Sequence, residues 1–261
     1  MTAAADVRRI EIDGRPAGMD ELRSAALSGF GHFTAMQVRG GKVRGFRLHL
    51  DRLDAANREL FGSGVDQGVL RARIRHALAG DVSDASVRVH LLETAGEHAM
   101  MVTVRPAGGM PPGPWRLRSV PYQRSVAHIK HTSDFGQRYY QRLVHAGGFD
   151  EALLTGPDGI VSEGTITNVG CFDGRQVIWP AAPVLSGITM QLIDAALARR
   201  GLPSIRSHVR VADLGSFAGV FVTNARGVAA VGQVDDVRLT VHEQLMSTLT
   251  DCLESVSWDD I

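Results

Sequence analysis

Only two of the 28 basic residues in this chain are lysines, Lys42 and Lys130. A guanidinium stays protonated and cannot act as an amine nucleophile, whereas a lysine can. Lys42 lies in Arg39-Gly40-Gly41-Lys42, a turn, where a solvated ammonium is the plain expectation. Lys130 lies in His128-Ile129-Lys130-His131-Thr132, beside apolar and neutral groups. A lone lysine is most often a surface lysine, so Lys130 needs partners before it counts as a Schiff-base former.

Three such partners are spread along the chain. Glu163 stands in Val161-Ser162-Glu163-Gly164-Thr165-Ile166-Thr167-Asn168, a carboxylate among uncharged residues, where burial without a partner would be costly. Ser186-Gly187-Ile188-Thr189 reads as the start of a helix, with Ser186 as its N-cap, and the first N–H groups of a helix attract anions. Arg47 heads Phe46-Arg47-Leu48-His49-Leu50-Asp51-Arg52-Leu53 and could add positive charge. Taken singly, each is also explained as a strand-edge carboxylate, a plain capped helix or a surface arginine. No metal site is expected. The two cysteines, Cys171 and Cys252, are far apart in apolar contexts and read as reduced packing residues of a cytoplasmic protein.

The elements that must position these groups are short strands with interspersed helices. Arg9–Gly14 and Phe33–Arg39 read as strands that end in turns. Leu53, Ala56 and Leu60 share one face of a helix over 47–60, and Leu70, Ile74, Ala77 and Leu78 mark a second. Strands over 87–93 and 100–105 follow, joined by Thr94-Ala95-Gly96-Glu97. Residues 106–114 hold four prolines and three glycines, which suits a linker and neither a helix nor an interior strand. Beyond it come a strand at 115–120 and a helix with Phe135, Tyr139 and Leu143 on one face. Hairpin signals stand at Pro157-Asp158-Gly159 and Asp173-Gly174. A helix through Ile188, Leu192, Ile193, Ala196 and Leu197, a strand at 220–223 and a helix around 245–253 complete the reading. The mixture predicts an α+β fold, with a small N-terminal domain over 1–105, a linker over 106–114 and a larger C-terminal domain over 115–261. Net charge is zero, so no nucleic-acid partner is indicated. No run of 18 apolar residues occurs, and the first residues have no secretory leader pattern, so neither a membrane span nor a signal peptide is expected.

An amine, a facing carboxylate and an anion-receiving helix start with a cation are what pyridoxal 5'-phosphate (PLP) asks of a protein. The order of these blocks resembles the fold type IV PLP enzymes: branched-chain aminotransferases, D-amino acid aminotransferases and aminodeoxychorismate lyases. The similarity runs from about Gly31 to Val231. Gly31-His32-Phe33-Thr34 and Phe46–Leu53 resemble the N-terminal strand and the helix with the phosphate-binding arginine. Ile129-Lys130 resembles the Schiff-base site, and Phe149–Leu153 through Asn168 the strands carrying the glutamate that faces the pyridine nitrogen. Leu185-Ser186-Gly187-Ile188-Thr189 resembles the phosphate-binding helix start, and Thr223-Asn224-Ala225 a second phosphate loop. The resemblance implies a small α/β domain followed by a larger domain with a β-barrel-like sheet. It implies Lys130 as the catalytic residue and Arg47, Lys130, Glu163, Asn168, Gly187, Ile188, Thr189, Thr223, Asn224 and Ala225 as cofactor-binding. Phe33, Gln37 and His98 fall where substrate contacts are expected.

The chain also departs from the family pattern. Gly170 replaces an aromatic, Trp179 precedes Pro180 where threonine is usual, and Met190 follows Gly-Ile-Thr in place of a basic residue. Five residues past the lysine stands Phe135, where transaminases commonly place a tyrosine, leaving Tyr139 or Tyr140 as substitutes. Glu97-His98 lacks the arginine of the D-amino acid enzymes' carboxylate-binding pair. The reading taken is an aminotransferase acting on an amino acid and a 2-keto acid. The resemblance further implies a homodimer, with the loop from Thr94 to His98 approaching the partner's site. One alternative is a pyruvate-releasing lyase: Phe33-Thr34-Ala35 with Gly41-Lys42-Val43 resembles that subgroup, although Gln37 stands where its bacterial members have arginine. The other is a non-catalytic or PLP-free relative.

Overall fold

The computed structural model describes residues 7–80, 82–94 and 97–261. The chain divides into two compact units: Met1–Gly108 with Ile129–Ser133 and Ser257–Ile261, and Gly109–His128 with Asp134–Val256. This differs from a single cut at 106–114, for a physical reason. The Phe33 N–H donates to the Lys130 carbonyl at 2.8 Å, and the Thr132 N–H to the Gly31 carbonyl at 2.9 Å. Trp258–Asp260 at the other end pairs with Lys42–Arg44. Two late segments are thus bonded into the first unit.

The first unit holds β1 (Arg9–Ile12), β2 (Arg15–Pro16), α1 (Met19–Ser28), β3 (Gly31–Arg39), β4 (Lys42–Arg44), α2 (Phe46–Phe61), α3 (Gln67–Ala77), β5 (Ala85–Thr94) and β6 (Glu97–Pro106). Alternation along β3 is strict: Thr34, Met36 and Val38 are buried while Phe33, Ala35, Gln37 and Arg39 are half-buried. The buried side receives Phe46, Leu50 and Leu53 of α2 and Leu70, Ile74 and Ala77 of α3. Asp66 caps α3 by accepting from the Gly68 and Val69 N–H groups at 2.8 and 3.0 Å. The tip between β5 and β6, where an approach to a partner site was expected, includes Ala95 and Gly96, which lie outside the described residues.

The second unit holds β7 (Trp115–Val120), α4 (Phe135–Ala146), β8 (Glu151–Thr155), β9 (Val161–Gly164), β10 (Asn168–Phe172), β11 (Val177–Pro180), α5 (Ile188–Arg199), β12 (Ser204–Ser207), β13 (Gly219–Asn224), β14 (Gly227–Val234), β15 (Val237–Arg238) and α6 (Glu243–Glu254). The closing strand β16 (Trp258–Asp260) belongs to the first unit, whose antiparallel sheet runs β16-β4-β3-β5-β6-β1-β2. The second sheet runs β12-β11-β10-β13-β14-β7-β8-β9, with β15 on β14. It is mixed: β7 lies parallel to both β14 and β8, and β11 lies parallel to β12. Its last strand, β9, also comes back against β10 and β11, so the sheet curls like part of a barrel around Leu117, Leu153, Val161, Val169, Val220 and Val222. Trp179 and Phe221 meet Ile193 and Leu197 of α5 and Leu245 and Leu249 of α6 on the other side.

Two expectations change. α5 begins one residue later than read, with Gly187 rather than Ser186 at the N-cap. Phe135, Tyr139 and Leu143 do share one face of α4, but that face is 81, 53 and 55% exposed; Val144 and, partly buried, Tyr140 pack on the cluster that includes Ala152 and Leu154 of β8. Among the described residues no helix is long and apolar enough to cross a membrane.

Candidate functional site

In the first unit, Lys130 is half-buried and its Nζ lies 5.0 Å from the centroid of the Phe33 ring. Phe33 stacks on His90 at 5.0 Å and shares its sheet face with Gln37, which bonds Ser86 at 3.1 Å and accepts from the Gly108 N–H at 3.0 Å. His98 is exposed and packs against Phe61 at 4.4 Å. The strands thus bring Lys130 and Phe33 together, with Gln37 further along the same face.

Arg47 points outward and donates to Asp51 at 2.7 Å, with its side chain 75% exposed. Five residues on, Arg52 is the inward arginine of α2. It donates to Thr34 Oγ1, which lies 2.6 Å from His49 Nδ1, and its own Nε is buried without a hydrogen-bond partner. Burial pushes its pKa down to about 10 with no carboxylate offsetting it, so it is still a cation at neutral pH. His49 is pushed well below the ordinary histidine range, first by burial and then by Arg52, and is neutral. A buried guanidinium with an unused donor suits an anion. The sequence carried a signal for this: Arg47–Asp51 and Asp54–Arg58 are i,i+4 pairs on the outer face, whereas Arg52 follows the buried His49 by three.

In the second unit, β9 carries Glu163, 4% exposed. Its Oε1 accepts from Arg124 Nη1 at 3.1 Å and its Oε2 from the Leu185 N–H at 3.2 Å. Arg124 lies 39 positions away and no local pattern connects the two, so in sequence Glu163 is only a carboxylate among neutral residues. Asn168, at the start of β10, donates from Nδ2 to the Leu185 carbonyl at 2.7 Å. Leu185 therefore ties the carboxylate to the segment that enters α5. Gly187 is the N-cap without a side-chain cap, and the first turn carries no acid. A Cβ on Gly187 would fall 1.8 Å from Asn168 Oδ1. Thr189 donates to the Asn224 carbonyl at 2.7 Å, and Thr223, opposite Asn168 in the sheet, has a buried Oγ1 without a partner. Asn224 Oδ1 accepts from the Arg226 N–H at 2.8 Å, shaping a turn in which Ala225 is exposed. Glu163, Asn168, Gly187, Ile188, Thr189, Thr223 and Asn224 are thus brought together. A carboxylate held beside a cation can face a protonated ring nitrogen, and an uncapped helix start with an idle threonine hydroxyl can take a phosphate.

Tyr139 and Tyr140, the candidates to replace a tyrosine at Phe135, are also in this unit. Tyr139 is 53% exposed, and Tyr140 packs 5.3 Å from Tyr122.

Residues 31–234 match the family described as amino-transferase class IV. The chain belongs to this family of PLP-dependent enzymes. It is similar in fold to a PLP-bound hypothetical aminotransferase from Mycobacterium tuberculosis, at 21% identity and TM-score 0.79 over 92% of this chain and 93% of that one. A branched-chain aminotransferase from Thermoproteus uzoniensis, complexed with norvaline, superposes at 18% identity and TM-score 0.81 over 95 and 94%. The 4-amino-4-deoxychorismate lyase from Pseudomonas aeruginosa does so at 24% identity and TM-score 0.80 over 94 and 98%. No curated protein sequence matches the chain.

Proposed function

We propose that the protein is a PLP-dependent aminotransferase that moves an amino group between an amino acid and a 2-keto acid, with Lys130 forming the Schiff base. The observation that carries this is the second unit's Leu185, which ties a buried carboxylate, Glu163, to an uncapped helix start. Bound PLP supplies an electron-withdrawing pyridinium that stabilises negative charge at the substrate's α-carbon. Glu163, paired with Arg124, holds the proton on the ring nitrogen. The first-turn N–H groups of Ile188 and Thr189, Gly187 with no Cβ in the way, and Thr223 with Asn224 and Ala225 bind the phosphate. Arg52 rather than Arg47 is the cation assigned to it, because its Nε is buried and unmatched. In the second unit the partnerless Oγ1 of Thr223 supports the fit, and in the first the partnerless Nε of Arg52 leaves a buried donor unused. The Lys130 amine would serve as the general acid–base that takes the substrate's α-proton and gives it back. Phe33, Gln37 and His98 are proposed to meet the substrate. We further propose a homodimer in the cytoplasm; the outward apolar stripe of α4 supports an assembled state, and the two free cysteines support a reducing compartment.

A lyase that releases pyruvate from aminodeoxychorismate is the second reading, favoured by Phe135, which has no hydroxyl to give the cofactor. The test is a coupled assay of PLP-loaded protein with a panel of amino donors and 2-keto acid acceptors, run beside aminodeoxychorismate. Keto acid formed from a donor, with ping-pong kinetics, is the expected result. Pyruvate from aminodeoxychorismate with no donor turned over would replace the first reading by the second.

A further inference from the structure

We propose that Glu151 is a positioning residue of this site: its carboxylate clasps the turn between β9 and β10 and so holds Glu163 and the start of α5 ready for the cofactor. The inference rests on the reading of the site given above. Glu151 sits on β8 and is 1% exposed. Its Oε1 accepts from Thr165 Oγ1 at 3.0 Å and from the Ile166 N–H at 2.7 Å, and its Oε2 accepts from Thr167 Oγ1 at 3.0 Å. Three consecutive residues are thus bound by one side chain. The turn closes on itself as well, with the Gly164 N–H donating to the Thr167 carbonyl at 2.9 Å. Packing there is tight: a Cβ on Gly164 would lie 2.2 Å from Thr167 Oγ1 and 2.7 Å from Glu151 Oε1.

Location gives this clasp its consequence. The turn is flanked by Glu163 on one side and Asn168 on the other, and both bond the main chain of Leu185. A shift of the turn therefore moves the carboxylate, the amide and the approach to α5 together. The clasp is built from neutral donors, since none of its three bonds comes from a cation. Burial, with a smaller push from Glu163, raises the Glu151 carboxyl to about 7. An apolar side chain in its place would avoid that desolvation but could not hold the turn.

The test is a PLP titration followed by absorbance near ~420 nm and by PLP dissociation constant, in wild type and in Glu151→Ala, Glu151→Gln, Thr167→Val and Thr167→Ser. Ile193→Val serves as a core control that lowers stability away from the turn. Glu151→Ala should raise the PLP Kd by roughly tenfold or more, since it leaves the donors of the turn unmatched. Thr167→Val should weaken binding severalfold while Thr167→Ser stays near wild type, and this pair decides the matter even where Glu151→Ala does not fold. Ile193→Val should lower the melting temperature of the PLP-free protein without moving Kd. Wild-type Kd and spectrum in both the Glu151 and Thr167→Val proteins would overturn the inference while leaving the functional reading intact. A wild type that takes up no PLP overturns that reading and the inference with it.

Discussion

Arg124 and Glu163 form an ion pair with side chains 5 and 6% exposed, so each is worth more as a partner than as a charge. Breaking a buried ion pair by removing one member costs about 3–5 kcal/mol. Arg124→Met should therefore lower the urea midpoint far more than Arg47→Ala, whose exposed i,i+4 pair contributes about 0.3–0.5 kcal/mol. Equal effects of the two changes would show that the buried pair does not carry the carboxylate. Glu151 adds a pH dependence with a definite sign. Its carboxyl is raised from 4.5 to about 7 on folding, mainly by burial. Between those values the folded chain holds more protons than the unfolded one, so stability falls as pH rises, by up to about 1.4 kcal/mol per pH unit, and levels off above the folded pKa. In Glu151→Gln that part of the slope should be missing from denaturation curves taken between pH 5 and 8. The residue scale is also where the sequence was least legible. Lys130 and Glu163 could be picked out by type and company. Arg52, passed over for Arg47, could have been by its place on the helix wheel beside the buried His49. Arg124 and Glu151 could not, because the bonds that define them, to Glu163 and to the 165–167 turn, cross 39 and 14–16 positions with no local pattern.

At the scale of elements, legibility followed periodicity. β3, β5, β6, α2 and α3 alternate or repeat on one buried face, and their apolar spacing locates them. α1 buries none of its residues and β16 has only three, so neither leaves a pattern to read. α4 has a clear helical stripe, yet the stripe faces outward, because spacing defines a face without saying what covers it. The start of α5 is the element on which cofactor binding turns. Its N-cap takes Gly187 because a Cβ would collide with Asn168 Oδ1, itself fixed on Leu185 through Nδ2. Gly187→Ala should therefore displace Asn168 or the helix start and weaken PLP binding by roughly tenfold or more, measured by equilibrium dialysis. An alanine protein that binds PLP as wild type does would remove the helix start from the account.

For the whole molecule, the two units interleave in sequence. Lys130 belongs to the first unit although it follows the linker, because Ile129–Ser133 is bonded to the beginning of β3. A contiguous reading of domains misses this, since hydrogen bonds to a distant strand leave no mark in composition. The family supplies the frame, and sedimentation equilibrium should find a homodimer; a monomer active at assay concentration would contradict that expectation. The bond at Lys130 is easy to examine, because Lys42 is the only other lysine in the chain. PLP-loaded protein reduced with borohydride and mapped by peptide mass spectrometry should carry the pyridoxyl group on Lys130, with the band near ~420 nm lost on reduction and absent from Lys130→Ala. Pyridoxyl found on Lys42 alone, or an unchanged band in Lys130→Ala, would contradict the account.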